Sequence, residues 1–576
     1  MKRVFKQLVK FKWQMILIFI TVLGASFSDI SLPTYMAKII NQGVANADIS
    51  YIWKIGAIML CFSFTSMLCN IGTGFLSARI SVWLGRDIRS QVFAKIESFS
   101  PAEIDRFSSA SLITRTNNDI LQLQMFMMMF LRIILMAPIV FIMGVVMSYT
   151  KSPSMSRVLL FSLPLQILLV FTVSKFAMPL SQSMQNKLDQ VNLVMREKLT
   201  GIRVIRAFGT EHYESDRFKK ANKDLTETTL KLQRTVSVMF PTLALIINFT
   251  IISILWIGGN KLPSGAIEAG DILAVTQYIT QIMMSVTMLS MIFILYPRAA
   301  ASAARVSEVL DTKPTITDPV ISKSNPNQRG YLEFKNVSFT FPNAQAPALS
   351  GLSFVAKPGE TTAIIGSTGS GKTALVGLIP RFYDVSDGEI LVDGINIKDY
   401  KQHDLRAKIG YVPQKALLFT GTIKDNISFG TSTPRDTDII NAARISQSER
   451  FIAEKEQGFY SHISQGGSNV SGGQRQRLSI ARAIVRKPEI YIFDDSFSAL
   501  DFKTDAALRE ALSVETKNAT VIIVAQRVST IMNSNRIIVL ENGTVKGIGT
   551  HKELIKSCKT YEEIVQSQLS EEEINR

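Results

Sequence analysis

The sequence predicts a multi-domain chain in which an all-α membrane domain of six helices precedes an α/β domain. Three observations carry this. Long apolar runs free of charge are confined to the first half; after residue 330 the pattern changes to short β-rich runs separated by turns; and in that second half a glycine-rich loop stands between an apolar strand and a helix.

The apolar runs lie near 15–36, 55–78, 126–149, 157–178, 235–260 and 272–297. At about 1.5 Å of rise per residue, each can cross a hydrocarbon layer of about 30 Å as a helix. The second, fifth and sixth are the clearest, with no Lys, Arg, Asp or Glu between Lys54 and Arg79, between Arg234 and Lys261, or between Asp271 and Arg298. The first run is too long for a signal peptide and has no convincing small-residue cleavage site, so it is expected to stay as a membrane helix.

Basic residues orient these spans. Lys2, Arg3, Lys6, Lys10 and Lys12 precede the first, and segments 79–119 and 179–234 are rich in Lys and Arg, whereas 37–54, 150–156 and 261–271 hold few. The positive-inside rule then places the N-terminus, both long loops and the C-terminal half in the cytosol of a multi-pass plasma-membrane protein. A formal charge of +16 reads mainly as topology and attraction to anionic lipid. No basic stripe interleaved with aromatics favours a nucleic-acid partner. Cys61, Cys69 and Cys558 have neither disulfide nor zinc spacing.

Segments 79–125 and 179–234 are polar but hold few helix breakers, so they are expected to be cytosolic extensions of the membrane helices. A short element is expected at each tip, around Pro101 to Asp119 and around Gly201 to Gly209. The domain boundaries are expected at 1–312 for the membrane domain, 313–330 for a linker with Pro314, Pro319, Asn325 and Pro326, and 331–576 for the α/β domain.

In the α/β domain, 361–365 reads as a buried strand, followed by Gly366, Ser367, Thr368, Gly369, Ser370, Gly371, Lys372 and Thr373, and then a helix start at 374–379. This strand–loop–helix context is that of a phosphate-binding P-loop. Its backbone N–H groups are expected to cradle the phosphates of ATP, with Lys372 reaching the β and γ groups and the Thr373 hydroxyl on Mg²⁺. The apolar strand 490–494 ends in Asp494, a partner for that Mg²⁺. Between them stand Ser471, Gly472, Gly473 and Gln474, with Ser471 placed as the N-cap of a helix running from Arg475 to Val485.

The P-loop followed by Ser-Gly-Gly-Gln resembles the ATP-binding cassette (ABC) exporters in which one six-helix membrane domain is fused to one nucleotide-binding domain, and the resemblance covers nearly the whole chain. It implies that Gln414 in Tyr411-Val-Pro-Gln is the Q-loop glutamine and contacts the metal, that Ser498 to Asp501 is the D-loop, that Phe341 stacks on adenine, and that the two tips are coupling helices. It also implies a dimer in which each ATP lies between the P-loop of one chain and the signature of the other.

Two positions depart from the family pattern. After Asp494 the family has a Glu general base and this chain has Asp495; where the family has His, it has Gln526. Asp is shorter by about one carbon–carbon bond, roughly 1.5 Å, and a misplacement of about 1 Å can cost on the order of 100-fold. Gln hydrogen-bonds but cannot become a cation. The signature, by contrast, departs only in having Val470 where Leu is common. A degenerate ATP site here and a competent one completed by this chain's signature are therefore expected, in a heterodimer with a second half-transporter. A homodimeric slow exporter, and an ATP-gated regulator or channel-like protein, are the alternatives.

For the cargo, the resemblance implies amphiphilic drugs or lipid-like compounds. Asp29 in the first span is an ionisable residue of the kind that marks function in membranes: a contact for cationic cargo, part of a gate, or a position wetted at the outer surface. Met127, Met128, Met129, Met136, Met143 and Met147, with Met283, Met284, Met288 and Met291, either line a cargo path or pack helices.

Overall fold

The computed structural model describes residues 1–325, 327–342 and 344–569; Pro326 of the linker and the side chain of Met291 lie outside the described residues. The chain forms two compact units, Met1–Glu97 with Ser109–Thr312, and Ser98–Ser108 with Lys313–Arg576.

In chain order the first half contains α1 (Arg3–Val44), α2 (Ile49–Glu97), a short α3 (Pro101–Phe107), α4 (Ser109–Lys151), α5 (Pro153–Thr200), a short α6 (Ile202–Ala207), α7 (Glu211–Lys261) and α8 (Ala269–Asp311). Six of these are long and apolar enough to cross a membrane, and at 42 to 51 residues each they outrun the hydrocarbon thickness. Segments 79–125 and 179–234 are accordingly helical continuations of the spans. The first tip is narrower than its sequence implied: 109–119 already belongs to α4, because it holds no glycine or proline to stop a helix, and only α3 stands apart.

The membrane unit buries Ile30, Ala37, Val140, Ala274 and Tyr278 in one cluster, and Met155, Ile254, Val275, Ile282 and Met283 among others in a second. Polar ties fix helix pairs within it. Buried Asp119 accepts from Ser302 Oγ at 2.9 Å and from Arg305 Nε at 2.8 Å, joining α4 to α8. Lys151 and Asp271 make a second α4–α8 link at 2.8 Å.

The second unit holds two main sheets. The antiparallel one runs in the order β2 (Leu349–Ala356), β1 (Leu332–Phe339), β4 (Asp387–Val392), β5 (Ile395–Asn396). A ribbon of β7 (Gly421–Thr422) and β8 (His462–Ile463) lies apart from the larger sheet. That larger sheet has the order β12 (Thr544–Gly549), β11 (Arg536–Glu541), β3 (Thr361–Gly366), β10 (Thr520–Val524), β9 (Ile490–Asp494), β6 (Ile409–Val412). All its pairings are parallel except β11 with β12. β9 and β10 are buried at every position, which is why they read as unbroken apolar runs rather than alternating ones.

The short α3 belongs to this second unit. Ser100 caps it, and the buried carboxylate of Glu103 accepts from Ser100 N and Ser100 Oγ at 2.7 Å each and from Thr315 N at 3.0 Å. Burial pushes the Glu103 carboxyl up, but the bonds from Ser100 and Thr315 outweigh it and hold the group below its ordinary range.

Candidate functional site

In an open parallel sheet, loops at the carboxyl ends of neighbouring strands converge on one edge. Here those loops carry the residues singled out in the sequence: the P-loop after β3, Gln414 after β6, Asp495 after β9 and Gln526 after β10.

The P-loop runs from Gly366 into α9 (Lys372–Leu378). Its glycines answer to space as well as to torsion. A Cβ on Gly366 would stand 2.1 Å from Leu540 O, and Gly371 combines φ 98° with a Cβ position 2.8 Å from Ala348 O. Lys372 lies buried along the loop and donates from Nζ to Gly366 O at 2.8 Å and Ser367 O at 2.7 Å. Burial pushes its ammonium below the usual lysine range, while Asp495 and Asp494 pull it back.

Thr373 Oγ1 donates to Asp494 Oδ1 at 3.3 Å, and Tyr411 Oη donates to Asp494 Oδ2 at 3.4 Å. Asp494 is fully buried, and burial pushes its carboxyl up. A hydroxyl and a carboxylate held side by side are hard oxygen donors that fit Mg²⁺, which takes few protein ligands and completes its shell with phosphate and water. Thr373 and Asp494 would hold the ion, with Gln414 at the same edge. Bound Mg²⁺ would neutralise phosphate charge.

Asp495 is the next residue, and its backbone takes φ 45°, a left-handed conformation in which Asp is enriched. Two amides meet on one of its oxygens: Gln526 Nε2 at 3.0 Å and Gln414 Nε2 at 3.3 Å, both donating to Oδ2. Burial pushes the Asp495 carboxyl up, against the hydrogen bond from Gln414 and the charges of Lys372 and Arg527.

The signature is built differently. Ser471 caps α10 (Gly472–Ile484): its Oγ accepts from Gln474 N at 3.2 Å while Gln474 Oε1 accepts from Ser471 N at 3.1 Å, a capping box. A Cβ on Gly472 would meet open space, and one on Gly473 would lie 3.3 Å from Ala499 O, which puts the signature beside the D-loop. Among the described residues Ser471 and Gln474 make no side-chain hydrogen bond to their own P-loop. Asp501 caps α11 (Phe502–Glu515), accepting from Thr504 N at 3.0 Å. Phe341, just past β1, is partly exposed and meets Phe339 and Tyr383 edge-on, with centroids at 4.8 and 5.4 Å.

Two site features were not singled out in advance. The Tyr411 hydroxyl on Asp494 had its signal in the tyrosine that stands in the strand leading to Gln414. The left-handed turn at Asp495 had none beyond the Asp itself.

Residues 15–286 match the family described as ABC transporter transmembrane region, and residues 349–498 match the family described as ABC transporter. An uncharacterized ABC transporter ATP-binding protein of Bacillus subtilis, YfiB, is 38% identical over 94% of each chain. This chain belongs to the ABC transporter family. The ATP-dependent lipid A-core flippase of Pasteurella multocida is 30% identical over 98% of this chain and 97% of its own. In fold, this transporter is similar to a bacterial Atm1-family ABC exporter solved with ATP bound, with a TM-score of 0.81 over 97% of this chain and 99% of that one at 24% identity. The transporter is thus a multi-pass membrane protein: six apolar helices fused to an α/β ATP-binding domain of ABC exporter type.

Proposed function

We propose that this chain is one half of a heterodimeric, ATP-driven exporter, and that its own P-loop holds ATP while hydrolysing it poorly. The observation that carries this reading is the pair of amides on Asp495 Oδ2. A general base must take a proton from water through a free carboxylate oxygen; here Gln526 and Gln414 occupy one, the side chain is the short one, and Gln526 offers no cation for the γ-phosphate.

The roles follow. Gly366 to Lys372 bind the phosphates, Thr373, Asp494 and Gln414 hold Mg²⁺, and Phe341 stacks on adenine. Ser471 to Gln474 and Asp501 face the nucleotide held by the partner chain; the open space at Gly472 supports this assignment. ATP binds the closed dimer more tightly than the open one, and that difference drives the switch of the membrane cavity. The nucleotide unit and N-terminus lie on the cytoplasmic side of the plasma membrane, where Lys and Arg of segments 79–119 and 179–234 concentrate. Amphiphilic drugs or lipid-like compounds leave the cytosol or inner leaflet; the likeness to a lipid A-core flippase supports that class.

One observation favours a homodimeric slow exporter instead. The φ of 45° at Asp495 suits Asp, so the shorter acid is seated in a turn adapted to it.

The test is to tag this chain in its host, extract the complex gently, identify its companion by mass spectrometry and assay ATPase activity. A second six-helix chain carrying Glu and His, with turnover that stops when that Glu is changed, supports the heterodimer. Recovery of this chain with itself alone sinks it, and the rate measured then separates a slow pump from an ATP-binding switch.

A further inference from the structure

Within the membrane unit, α1, α2, α4 and α8 line an open-sided cavity of about 450 Å³, a size that suits a small molecule. Its walls include Met36, Met136, Met284 and Met288, and its polar lining is Asp29, Gln277, Gln281 and Ser285. Among the described residues lining it there is no Lys, Arg or His.

A carboxylate at membrane depth is costly unless something satisfies it. Ser66 Oγ donates to Asp29 Oδ1 at 2.5 Å, a neutral partner that brings no positive charge to the carboxyl. The amide of Gln281 is turned so that its Nε2 donates to the backbone O of Asp29 at 3.4 Å, while its Oε1 is buried with no hydrogen-bond partner. The cavity therefore presents the Asp29 carboxyl, and its walls present soft, polarisable apolar surface that adapts to varied shapes.

We infer that this cavity binds a protonated amine that carries an apolar body. The ammonium pairs with the Asp29 carboxylate and donates an N–H to it; the body lies against the methionines. A quaternary ammonium lacks an N–H to donate to that carboxylate, and an anion is repelled by it. This names the cargo class and rests on the export reading given above.

The test uses the whole transporter in lipid nanodiscs and the fluorescent amine dansylcadaverine, with its N-trimethyl and its uncharged N-butyl counterparts as controls. Dansylcadaverine is expected to bind more tightly than either. Asp29→Asn weakens its binding at least roughly tenfold, about 1.4 kcal/mol, leaves the uncharged probe unchanged, and Asp29→Glu restores it. Unchanged amine affinity in Asp29→Asn, or equal affinity for the uncharged probe, overturns the site. Should Asp29→Asn fail to assemble, the probes decide the matter in the parent transporter: equal affinity for dansylcadaverine and its uncharged counterpart overturns it. ATP-dependent accumulation of the amine in inside-out vesicles is read separately. Binding that depends on Asp29 without accumulation upholds the site and defeats export, whereas accumulation that survives Asp29→Asn upholds export and defeats the site.

Discussion

Gln526 Nε2 donates to Asp495 Oδ2 over 3.0 Å, so the residue standing where the family has a histidine is bonded to the residue standing where it has a glutamate. The two departures form one arrangement. Each adds to the other's consequence, because the amide donates to one of the two oxygens through which the shortened acid could act as a base.

Reversing one of them is accordingly not enough. Asp495→Glu combined with Gln526→His should raise hydrolysis at this P-loop by about 100-fold, and Asp495→Glu alone by a much smaller factor, since both amides remain at the carboxylate. Single-turnover hydrolysis of labelled ATP, with the companion site blocked, measures this; a full rise from the single change would refute the coupling.

Asp494 sets a pH dependence. Burial raises its carboxyl above the ordinary 3.8, so in the free protein protons compete for it at a pH where an exposed Asp would be fully ionised. Mg²⁺ needs the carboxylate, so Mg²⁺-dependent ATP binding should weaken as pH falls toward the raised value and be fully present well above it. Titrating affinity from near neutral downward in the parent and in Asp494→Asn checks this; the same pH response in both would assign it elsewhere.

Gly472→Glu separates binding from folding. The position faces open space, so thermal stability should stay within about 0.5 kcal/mol, while ATPase of the complex is lost through crowding and repulsion of phosphate. Ser471→Ala, by contrast, removes a cap worth about 1 kcal/mol and should cost both. Unaltered ATPase in Gly472→Glu would mean that no nucleotide meets this surface.

Glu103 anchors α3 to the segment that follows α8. Glu103→Ala leaves the amides of Ser100 and Thr315 without their acceptor, a loss of about 1–3 kcal/mol, and hydrogen exchange at Thr315 should quicken. Because the folded carboxyl is held below its ordinary 4.5, its contribution is complete above that value and disappears as pH falls through the lowered one. Exchange at Thr315 unchanged by the substitution would show that the bond carries no weight.

What could be read from sequence was what a solvent or a ligand imposes everywhere along a segment. Hydrocarbon makes charge costly, so the uncharged stretches between Lys54 and Arg79 and between Asp271 and Arg298 declare their spans. A phosphate cradle needs glycine at fixed positions, so Gly366 to Thr373 declares itself, and Ser471 with Gln474 announces its capping box. The methionines were ambiguous because packing and lining use the same side chain: Met127 and Met283 are buried, Met128 and Met129 exposed, and Met136, Met284 and Met288 line the cavity with Asp29. The convergence of Gln414 and Gln526 on Asp495 was hidden for a different reason. It depends on β6, β9 and β10 lying side by side, a registry between distant segments that no local pattern records.

The assignment of Ser98–Ser108 to the nucleotide-binding unit means that the polypeptide passes between the two units three times, after Glu97, after Ser108 and after Thr312. A single-linker chain could be cut at 313–330 into two halves that each keep their own residues. This one cannot: a fragment of residues 331–576 lacks α3, Glu103 and Thr315 altogether. The second unit is thus assembled from two stretches of chain separated in sequence by α4 to α8, and its integrity depends on residues that precede the membrane helices α4, α5, α7 and α8 as well as on those that follow them.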